Sequence, residues 1–365
     1  MSASGKHFFG EGLLKVFPTP EFLTMPATGI DITDNTARFL SFKETNEGKR
    51  IAAHGSYPIP SGVIRDGKIT DKGKLIEVLA QMQRENGIQF INASLPEQQA
   101  YLFQTTIPNE SVDKTQLRTI LEFKLEENVP ISSRELVFDY EVVEETKQEI
   151  ILNIIAYPQA PLADYIEVFD AAGFTILSFE IEAQSLARAV IPRHHSGTYM
   201  IVDFGKMRTG IGIVEGEVLR FTSTISVGGA MLSRAIEKHF GISKEEADIV
   251  KNEKGFAVYK KNTEVLETLI ATVSILRDEV RRHYNYWNES GNQKIKRKVD
   301  KIVLCGGSAN LAGLAEYLST DINVVVDVAD VWANAFSLND VIPDIAYRHS
   351  LSYATSIGLA LKGMR

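Results

Sequence analysis

Residues 201–217, IVDFGKMRTGIGIVEGE, contain side chains that could bind phosphate and a metal ion. An apolar run ends at Asp203, the chain turns through Gly205 and Lys206 to Thr209, and a second apolar run follows. Glycine in such a turn lets backbone N–H groups approach phosphate oxygens, and an aspartate at a strand end suits hydrated Mg²⁺. Lys206 and Thr209 add donors. An ordinary β-hairpin has the same pattern, so this segment alone leaves both interpretations open.

Two double-glycine segments could extend such a site. In VGGAML, residues 227–232, the glycines lie between a predicted strand and a predicted helix, and a helix N-terminus attracts anions. In LCGGSANLAGL, residues 304–314, a strand enters a Gly-Gly turn before a helix, so a base or ribose could lie against the backbone. Ser308 and Asn310 could cap that helix or contact the ligand. A close strand-to-helix turn also explains each segment.

The apolar pattern around these segments predicts strands and helices in three blocks. The first block has strands within 28–44, 49–60 and 90–96 and a helix over 74–87. The second, an α+β unit, has helices over 112–130 and 160–174 and strands over 136–145, 149–158 and 176–182. The third has strands over 198–205, 210–216 and 218–229, helices over 230–241, 243–255 and 263–287, a strand-turn-helix over 301–319, and a helix over 347–363.

Length and composition describe a globular chain of two or three folding units. The chain has 365 residues, of which 44% are hydrophobic and 24% are charged. Its net charge of −8 argues against broad nucleic-acid binding, which needs basic surface. KIKRK at 294–298 is either a local basic patch or a solvated connector. Cys305 is the single cysteine, so the chain has no internal disulfide and no Cys-rich zinc pattern.

The N-terminal residues 1–27 are predicted to form an arm. HFFGEGLLKVF, residues 7–17, could present an apolar helical face to a membrane or a partner, or pack on the protein itself. The arm lacks the basic, apolar and small-residue regions of a signal peptide. No apolar run in the sequence reaches the roughly 18 residues of a membrane span.

An internal repeat connects the first and third blocks. GIDITDNTARFLSF, residues 29–42, and IVDFGKMRTGIGIV, residues 201–214, share an apolar strand, an aspartate, a polar turn and an apolar strand. Each opens a run of three strands that a helix follows. Two similar halves with a phosphate-type turn in each predict a nucleotide held in the cleft between them.

The order of these motifs resembles that of the actin-like ATPase superfamily, and the chain is similar to the PilM family of type IV pilus assembly proteins and to their relative FtsA. The resemblance implies an α/β fold of duplicated actin-like (ribonuclease H-like) lobes around a nucleotide cleft, with an inserted small α+β subdomain. The implied domains are an N-terminal arm (1–27), a first lobe (28–104 and 181–197, rejoined by a C-terminal helix in 346–365), the inserted subdomain (105–180) and a second lobe (198–345).

The resemblance also implies site residues. DFGKMRT resembles a second phosphate hairpin, with Asp203 as a catalytic residue and Mg²⁺ ligand, and GIDITDNTARF resembles the first, with Asp31 as another Mg²⁺ ligand. Asp31 is also implied to bind nucleotide, and the remaining implied nucleotide-binding residues are Thr33, Asp34, Asn35, Gly205, Lys206, Arg208, Thr209, Gly228, Gly229, Glu246, Lys251, Gly306, Gly307, Ser308 and Asn310. Glu246 and Lys251 lie on the helix implied to contact ribose, and residues 306–310 form the implied adenosine motif.

The first hairpin departs from the family pattern D-I-G-T, because this chain has Asp31-Ile32-Thr33-Asp34. Thr33 adds a Cβ where the backbone should approach phosphate. The Asp34 carboxylate would repel a phosphate within about 5 Å unless Mg²⁺ compensates. SLPEQQ, residues 94–99, is where such proteins can place a water-orienting acid or amide, so Glu97 is a candidate catalytic residue and Gln98 the alternative.

The implied function is a cytoplasmic scaffold at the inner face of the inner membrane, active in pilus biogenesis and twitching motility, that binds ATP with Mg²⁺ and is at most a slow ATPase. Its implied partner is a PilN-like inner-membrane protein, whose short N-terminal peptide lies along the inserted unit. Pilus motor ATPases and a second copy of the chain are further expected partners, and nucleic acid is not one. Alternatives are a nucleotide-free scaffold related to type II secretion L-type cytoplasmic domains, and a small-molecule kinase, for which the first lobe offers no obvious catalytic aspartate.

Overall fold

The computed structural model describes residues 27–109, 114–255, 263–289 and 297–364, whose strands belong to three sheets and one short hairpin. The strands are β1 (Thr28–Ile32), β2 (Thr36–Thr45), β3 (Gly48–Pro58), β4 (Ile64–Arg65), β5 (Lys68–Ile69), β6 (Phe90–Leu95), β7 (Tyr101–Pro108), β8 (Leu136–Glu145), β9 (Glu149–Pro158), β10 (Thr175–Ile181), β11 (Thr198–Phe204), β12 (Thr209–Glu215), β13 (Val218–Ile225), β14 (Lys301–Cys305) and β15 (Val325–Val328).

Several helices begin or end at residues that cap them. The helices are α1 (Lys72–Asn86), α2 (Lys114–Asn128), α3 (Gln159–Ala171), α4 (Glu182–Val190), α5 (Gly229–Phe240), α6 (Lys244–Lys254), α7 (Thr263–Glu289), α8 (Leu314–Ile322), α9 (Tyr347–Ser350) and α10 (Ala354–Ala360). Before α1, the Asp71 side chain accepts a hydrogen bond from Lys74 N at 3.1 Å. Ser243 and Glu246 form a capping box at the start of α6.

Two five-stranded sheets within the described residues share one topology, which confirms the predicted duplication. The first has the order β10-β6-β1-β2-β3 and the second the order β13-β12-β11-β14-β15. In each sheet the first three strands along the chain are antiparallel neighbours, and two further strands join them in parallel. The β1–β2 and β11–β12 hairpins therefore occupy equivalent positions in the two lobes.

Each lobe has a packed apolar core. In the first lobe, Ile30 of β1 and Leu79 of α1 belong to one buried cluster. In the second, Val202 of β11 and Leu276 of α7 belong to another buried cluster. This cluster continues into α4 and also includes Ile357 of α10. Full burial of each such side chain contributes roughly 1.5–3 kcal/mol to stability. The second core therefore also reaches the helices that connect the lobes.

The third sheet, with the order β7-β9-β8, forms the inserted unit. Helix α2 covers one face of this sheet, where Leu121 and Leu125 share a buried cluster with Leu152 and Ile154 of β9. Strand β9, EIILNIIAYP, is apolar on both faces, since Ile155 packs against the core of the second lobe and Tyr157 lies in the core of the first. The other face of the sheet is directed at the two lobes.

The C-terminal end of the inserted unit differs from the prediction of 105–180. Phe169 of α3 lies in the core of the first lobe, and β10 pairs in parallel with β6 at the edge of the first sheet. The unit therefore spans 101–158. The reason is a long-range pairing, because β6 offers an open sheet edge to which the apolar strand β10 can bond.

Helix α10 returns the chain to the first sheet, where it packs on β1 and α4. The Asn92 side chain donates to the Leu359 carbonyl at 3.1 Å, and the Ser356 hydroxyl donates to the Arg38 carbonyl at 3.3 Å. Every residue of α10 is buried, since small side chains let it approach β1 and α4 closely.

Two features singled out in the sequence fall outside the described residues: the segment HFFGEGLLKVF at 7–17 and most of KIKRK at 294–298. Among the helices that are described, none combines the length and apolar character that crossing a bilayer requires.

Candidate functional site

A cleft of about 530 Å³ lies between the two lobes. Its walls are the turns of the β1–β2 and β11–β12 hairpins, the first half of α4, helices α5 and α6, the turn after β14, and residues 351, 352, 354 and 355. Small-molecule sites commonly occupy roughly 300–1,000 Å³. The predicted site residues that line this cleft are Asp31, Thr33, Asp34, Asn35, Asp203, Gly205, Lys206, Arg208, Lys251, Gly306, Gly307 and Ser308.

The second hairpin rests on the first turn of α5. Gly229 N donates to the Gly205 carbonyl at 3.0 Å, and Ala230 N donates to the Lys206 carbonyl at 2.8 Å. A Cβ at Gly228 would lie 2.5 Å from the Lys206 oxygen, so this close packing requires glycine. Gly228 and Gly229 therefore support the hairpin from behind. They do not line the cleft, and the first N–H groups of α5 already have partners.

The turn after β14 is packed against the same hairpin. Gly306 has φ of 87°, and a Cβ there would clash with Asp203 Oδ1 and the Phe204 carbonyl. Ser308 joins the two segments, because its N–H donates to the Phe204 carbonyl at 2.9 Å and its hydroxyl to the Gly205 carbonyl at 3.0 Å. This double-glycine segment lines the cleft, and its contact with a ligand stays a prediction.

The first hairpin uses Thr33 to close its own turn. The Thr33 N–H and hydroxyl donate to the Thr36 carbonyl at 2.9 and 3.0 Å, and Thr36 N donates to Thr33 Oγ1 at 3.2 Å. The residue that replaces the family's glycine is thus bonded within the turn. The neighbouring Asp34 carboxylate accepts from Gly67 N at 3.3 Å, which fixes it at the cleft wall.

Arg208 of the second hairpin contacts two carboxylates of the other wall. Its Nη1 donates to Asp34 Oδ1 at 3.2 Å, and its Nη2 donates to Glu182 Oε1 at 2.9 Å. All three side chains are at most 16% exposed, so water screens these charges less than it screens surface ion pairs. The sequence predicted Arg208 as a phosphate ligand. It gave no signal for Glu182, which begins α4 outside any recognised motif.

Burial raises the pKa of several carboxyl groups at this end of the cleft. It raises the pKa of Asp203 to about 6, that of Glu97 to about 7 and that of Glu182 to about 8. Burial also raises the pKa of Asp31 above its usual range. Repulsion between Asp31 and Asp203 adds to the effect, and Arg208 opposes it. Several carboxyl groups therefore lie close together where water is scarce, and a bound cation would stabilise their ionised forms.

Glu97 lies beside the cleft wall in a 3₁₀ turn, Glu97–Gln99. Its carboxylate accepts hydrogen bonds from Ala183 N and from the Thr222 hydroxyl, the latter at 2.9 Å. Glu97 Oε2 is 3.5 Å from the position that a Cβ would take at Gly210, which does line the cleft. The predicted catalytic acid is therefore next to Gly210, with both oxygens bonded, and is not on the cleft surface.

Other predicted residues also lie away from the cleft. Thr209 is fully buried, and its hydroxyl donates to the Val227 carbonyl at 2.6 Å. Glu246 is exposed and caps its own helix. The Asn310 side chain donates to the Arg348 carbonyl. Sequence motifs identified these polar residues, but they do not determine the direction in which each side chain points.

Helices α5 and α6 contribute charged residues that the sequence analysis did not identify, apart from Lys251. Lys251 Nζ donates to Asp248 Oδ1 and to Ser233 Oγ, both at 2.8 Å. Lys244, Asp248 and Lys251 share one face of α6, and this helical spacing is the signal that could have revealed them. Arg234 and Glu237 of α5 also line this end, and the predicted residue Lys206 of the second hairpin lies near Asp248.

The described residues contain no group of three or more His, Cys, Asp or Glu side chains that could hold a metal ion. Mg²⁺ commonly uses only one or two carboxylates and keeps several waters, with phosphate oxygens completing its shell. Asp31 and Asp203 supply such a pair, and Asp31 Oδ1 also accepts from the Ser94 hydroxyl at 2.9 Å. The donor set fits a hydrated Mg²⁺ ion that arrives with a phosphate ligand.

A second cavity, of about 580 Å³, lies where the inserted unit meets the lobes. Asn153 of β9 is buried, and its Nδ2 donates to the Leu219 carbonyl of β13 at 2.6 Å. Its Oδ1 has no hydrogen-bond partner within the described residues. The apolar residues of the lining are Ile155, Ala187, Ile191, Pro192, Val214, Leu219, Leu361 and Met364. The cavity therefore offers a buried acceptor beside apolar surface.

Comparison with known proteins agrees with this geometry. A sequence profile described as "Type IV pilus assembly protein PilM" matches residues 29–364. The fold is similar to that in a "PilM-PilN type IV pilus biogenesis complex", with a TM-score of 0.76 and 17% identity over 93% of this chain and 99% of that chain. It is also similar to the ethanolamine utilization protein EutJ from Carboxydothermus hydrogenoformans, with a TM-score of 0.51 and 17% identity over 92% of this chain and 89% of that one.

MreB5 of Spiroplasma citri, in a structure bound to ADP, matches with a TM-score of 0.51 and 13% identity over 92% of this chain and 98% of that chain. Identities this low show the fold alone, which is actin-like. The profile, in contrast, covers both hairpins, the inserted unit and the returning C-terminal helix. The chain therefore belongs to the PilM family of type IV pilus assembly proteins.

Proposed function

We propose that this protein is a nucleotide-responsive scaffold of the type IV pilus assembly complex, bound at the cytoplasmic face of the inner membrane. The observation that carries the proposal is the position of the second cavity between the inserted unit and the lobes. Asn153 of the inserted sheet is bonded there to Leu219 of the second lobe. A movement of the lobes therefore changes the cavity, which allows the cleft to control a partner.

The partner proposed for the second cavity is the N-terminal peptide of a PilN-like membrane protein. An extended peptide presents backbone N–H groups, and Asn153 Oδ1 is a buried acceptor that lacks a donor among the residues that the structure describes. Ile155 and Ile191 provide apolar surface for side chains of the peptide. Support for this partner also comes from the similar fold in a PilM–PilN complex.

The ligand proposed for the cleft is an adenine nucleotide with Mg²⁺. Its nucleoside lies toward Gly307 and α6, and its phosphates lie toward the two hairpins, where Asp31 and Asp203 hold the hydrated metal. The ADP-bound MreB5 relative supports nucleotide binding by this fold. Hydrolysis is slow at most, because both oxygens of Glu97 are held by Ala183 N and Thr222.

Binding of a labelled peptide tests the scaffold function. The peptide copies the cytoplasmic N-terminal tail of the organism's own PilN-like protein, and fluorescence anisotropy reports the dissociation constant. Asn153→Leu keeps the size of the side chain and removes the acceptor, so we expect affinity to fall by about tenfold or more. Asn128→Leu is the control, because Asn128 is an exposed residue of the same unit, bonded within its own helix.

Loss of binding in the first variant alone supports the proposed cavity, and equal binding by both variants rules it out. Titration with nucleotide then separates the two scaffold alternatives. The pairing of Arg208 with Asp34 and Glu182 favours the nucleotide-free alternative. Peptide binding without any nucleotide binding at millimolar concentration would establish that alternative. Motor ATPases and a second copy of the chain stay predicted partners.

A further inference from the structure

We infer that the cleft binds a nucleoside diphosphate in preference to a triphosphate. The reason is that the Asp34 carboxylate is already paired with Arg208, the cation that a terminal phosphate would need. This inference rests on the proposed binding of a nucleotide in the cleft. It concerns which nucleotide is bound and identifies Asp34 as the residue that decides the preference.

The first step is the state of Arg208. Its two guanidinium ends are bonded to Asp34 Oδ1 at 3.2 Å and to Glu182 Oε1 at 2.9 Å. A terminal phosphate placed between the hairpins would have to compete with these two carboxylates for the charge of Arg208. Displacing either one leaves a carboxylate of low exposure without its partner, and this is costly in free energy.

The second step is the anchoring of Asp34. Besides Arg208, the backbone N–H of Gly67 donates to the same Asp34 oxygen at 3.3 Å. Thr33 closes the hairpin turn through bonds to Thr36, so the backbone that carries Asp34 is also fixed. The carboxylate therefore cannot turn away from an incoming phosphate without losing its donors.

The third step is the distribution of charge along the cleft. With all side chains ionised and before Mg²⁺ binds, the hairpin end has the carboxylates of Asp31, Asp34, Glu182 and Asp203 against the guanidinium groups of Arg38 and Arg208, which leaves a net charge of about −2. The helix end has Lys206, Arg234, Lys244 and Lys251 against Glu237 and Asp248, which leaves about +2.

A diphosphate in the proposed orientation has one phosphate within reach of the cations of the helix end and the other beside the Mg²⁺ that Asp31 and Asp203 hold. A third phosphate adds charge at the hairpin end, where it faces Asp34. Two like charges about 5 Å apart in a partly buried cleft repel each other more strongly than they would in water. We therefore expect ADP to bind about tenfold tighter than ATP, with the difference largest when Mg²⁺ is absent.

Isothermal titration calorimetry with ADP and with ATP, each in excess Mg²⁺ and in EDTA, tests the inference. The variants are Asp34→Asn, which removes the charge at constant size, and the double variant Thr33→Gly/Asp34→Thr, which restores the family pattern D-I-G-T. Glu237→Gln is the control, because it removes the same charge from the other end of the cleft. Thermal unfolding of each variant verifies that it is folded.

The expected result is an ADP preference in the unaltered protein that Asp34→Asn and the double variant reduce by about tenfold and Glu237→Gln leaves unchanged. A purely structural role of Asp34 would weaken both nucleotides equally and leave their ratio constant. ATP binding as tight as ADP in the unaltered protein, or an unchanged ratio in Asp34→Asn, overturns the inference and leaves nucleotide binding intact. Failure of both nucleotides to bind any variant overturns the proposed nucleotide function as well.

Discussion

The carboxylate of Asp34 and the guanidinium of Arg208 meet at 3.2 Å across the cleft. One belongs to the turn of the first hairpin and the other to the turn of the second, and these hairpins occupy equivalent places in the duplicated lobes. Glu182 holds the other side of Arg208 at 2.9 Å. A charged contact between the lobes therefore stands where two phosphate-type turns would otherwise both face a ligand.

Removing the cation of this contact should destabilise the protein. In Arg208→Met, the carboxylates of Asp34 and Glu182 lose their shared partner while they stay largely buried. We expect the free energy of unfolding to fall by about 3 kcal/mol, as measured by urea denaturation. Adding Asp34→Asn to this variant should restore at least half of the loss, since it removes the charge that Arg208→Met leaves unpaired.

Arg281→Met is the control for this experiment. Arg281 is 44% exposed and pairs with Asp278 and Asp321 on the surface, so its loss should cost at most about 1 kcal/mol. A loss in Arg208→Met no larger than in this control would show that the contact does not stabilise the fold.

The raised pKa of Glu97 predicts a dependence of stability on pH. Burial raises this pKa from 4.5 to about 7, so the folded state retains a proton that the unfolded state has released. This contribution to stability is fully present below about pH 4.5 and is lost as the pH rises through about 7. In Glu97→Gln, which keeps a neutral group of the same shape, the contribution no longer changes with pH.

We therefore expect the unfolding free energy of the unaltered protein, relative to Glu97→Gln, to fall by up to about 3 kcal/mol between about pH 5 and 8. Urea denaturation at a series of pH values measures the difference. Glu246→Gln serves as the control, because Glu246 is an exposed cap whose pKa is lowered by its bonds to Ser243. Parallel curves for the unaltered protein and Glu97→Gln would contradict the prediction.

Two adjacent glycines of the cleft should differ in their tolerance of alanine. Gly306 has φ of 87°, and its Cβ would clash with Asp203 Oδ1 and the Phe204 carbonyl. The Cβ of Gly307 would have its nearest neighbour, Ser352 Cβ, at an ordinary distance of 3.5 Å. Gly306→Ala should lower the unfolding free energy by about 2 kcal/mol or more, and Gly307→Ala by about 0.5 kcal/mol or less, in urea denaturation. Equal losses would show that the two backbones are equally constrained.

The duplicated fold could be predicted because both copies repeat a local pattern of strand, aspartate, polar turn and strand. The helix α2 also follows from periodicity that lies within the element, and β9 follows from its own run of apolar residues. The end of the inserted unit could not be predicted, since β10 has the same apolar character whichever sheet it joins. Its pairing with β6 depends on an open edge provided by residues far away in the chain.

The residues of the candidate site also divide into those that the sequence could place and those that it could not. Asp31, Asp203 and Gly306 could be placed at the cleft, because their positions at the ends of strands determine where they lie. The contact between Arg208 and Glu182 could not be foreseen, since it depends on how two lobes meet. The alternation of side chains along a strand separates Thr209, which points into the core, from Gly210, which borders the cleft.

Thr209 should accordingly affect stability and not ligand binding. Its buried hydroxyl donates to the Val227 carbonyl, which Thr209→Val would leave without this donor. We expect a loss of about 1–2 kcal/mol in the free energy of unfolding and nucleotide affinity within about twofold of the unaltered protein. Urea denaturation and calorimetry measure the two quantities. A large loss of nucleotide affinity with unchanged stability would show that Thr209 belongs to the binding site.

The proposed scaffold requires the cleft and the second cavity to be coupled, and contacts along β13 could provide this coupling. Glu97, next to the cleft residue Gly210, accepts from Thr222 of β13, and Leu219 of the same strand is bonded to Asn153 at the second cavity. Nucleotide should change the dissociation constant of the peptide by about fivefold or more, and the peptide should change that of the nucleotide by the same factor.

Thr222→Val removes the bond to Glu97 and should reduce this factor to below about twofold, whereas Thr268→Val, which alters an exposed hydroxyl bonded within α7, should leave it unchanged. Anisotropy of the labelled peptide with and without nucleotide measures the factor in each variant, and calorimetry measures the reciprocal effect. Because linkage requires the two factors to agree, unequal values would indicate a second nucleotide or peptide site. A factor near one in the unaltered protein would mean that the cleft and the cavity act independently, so that this scaffold would hold its partner regardless of nucleotide.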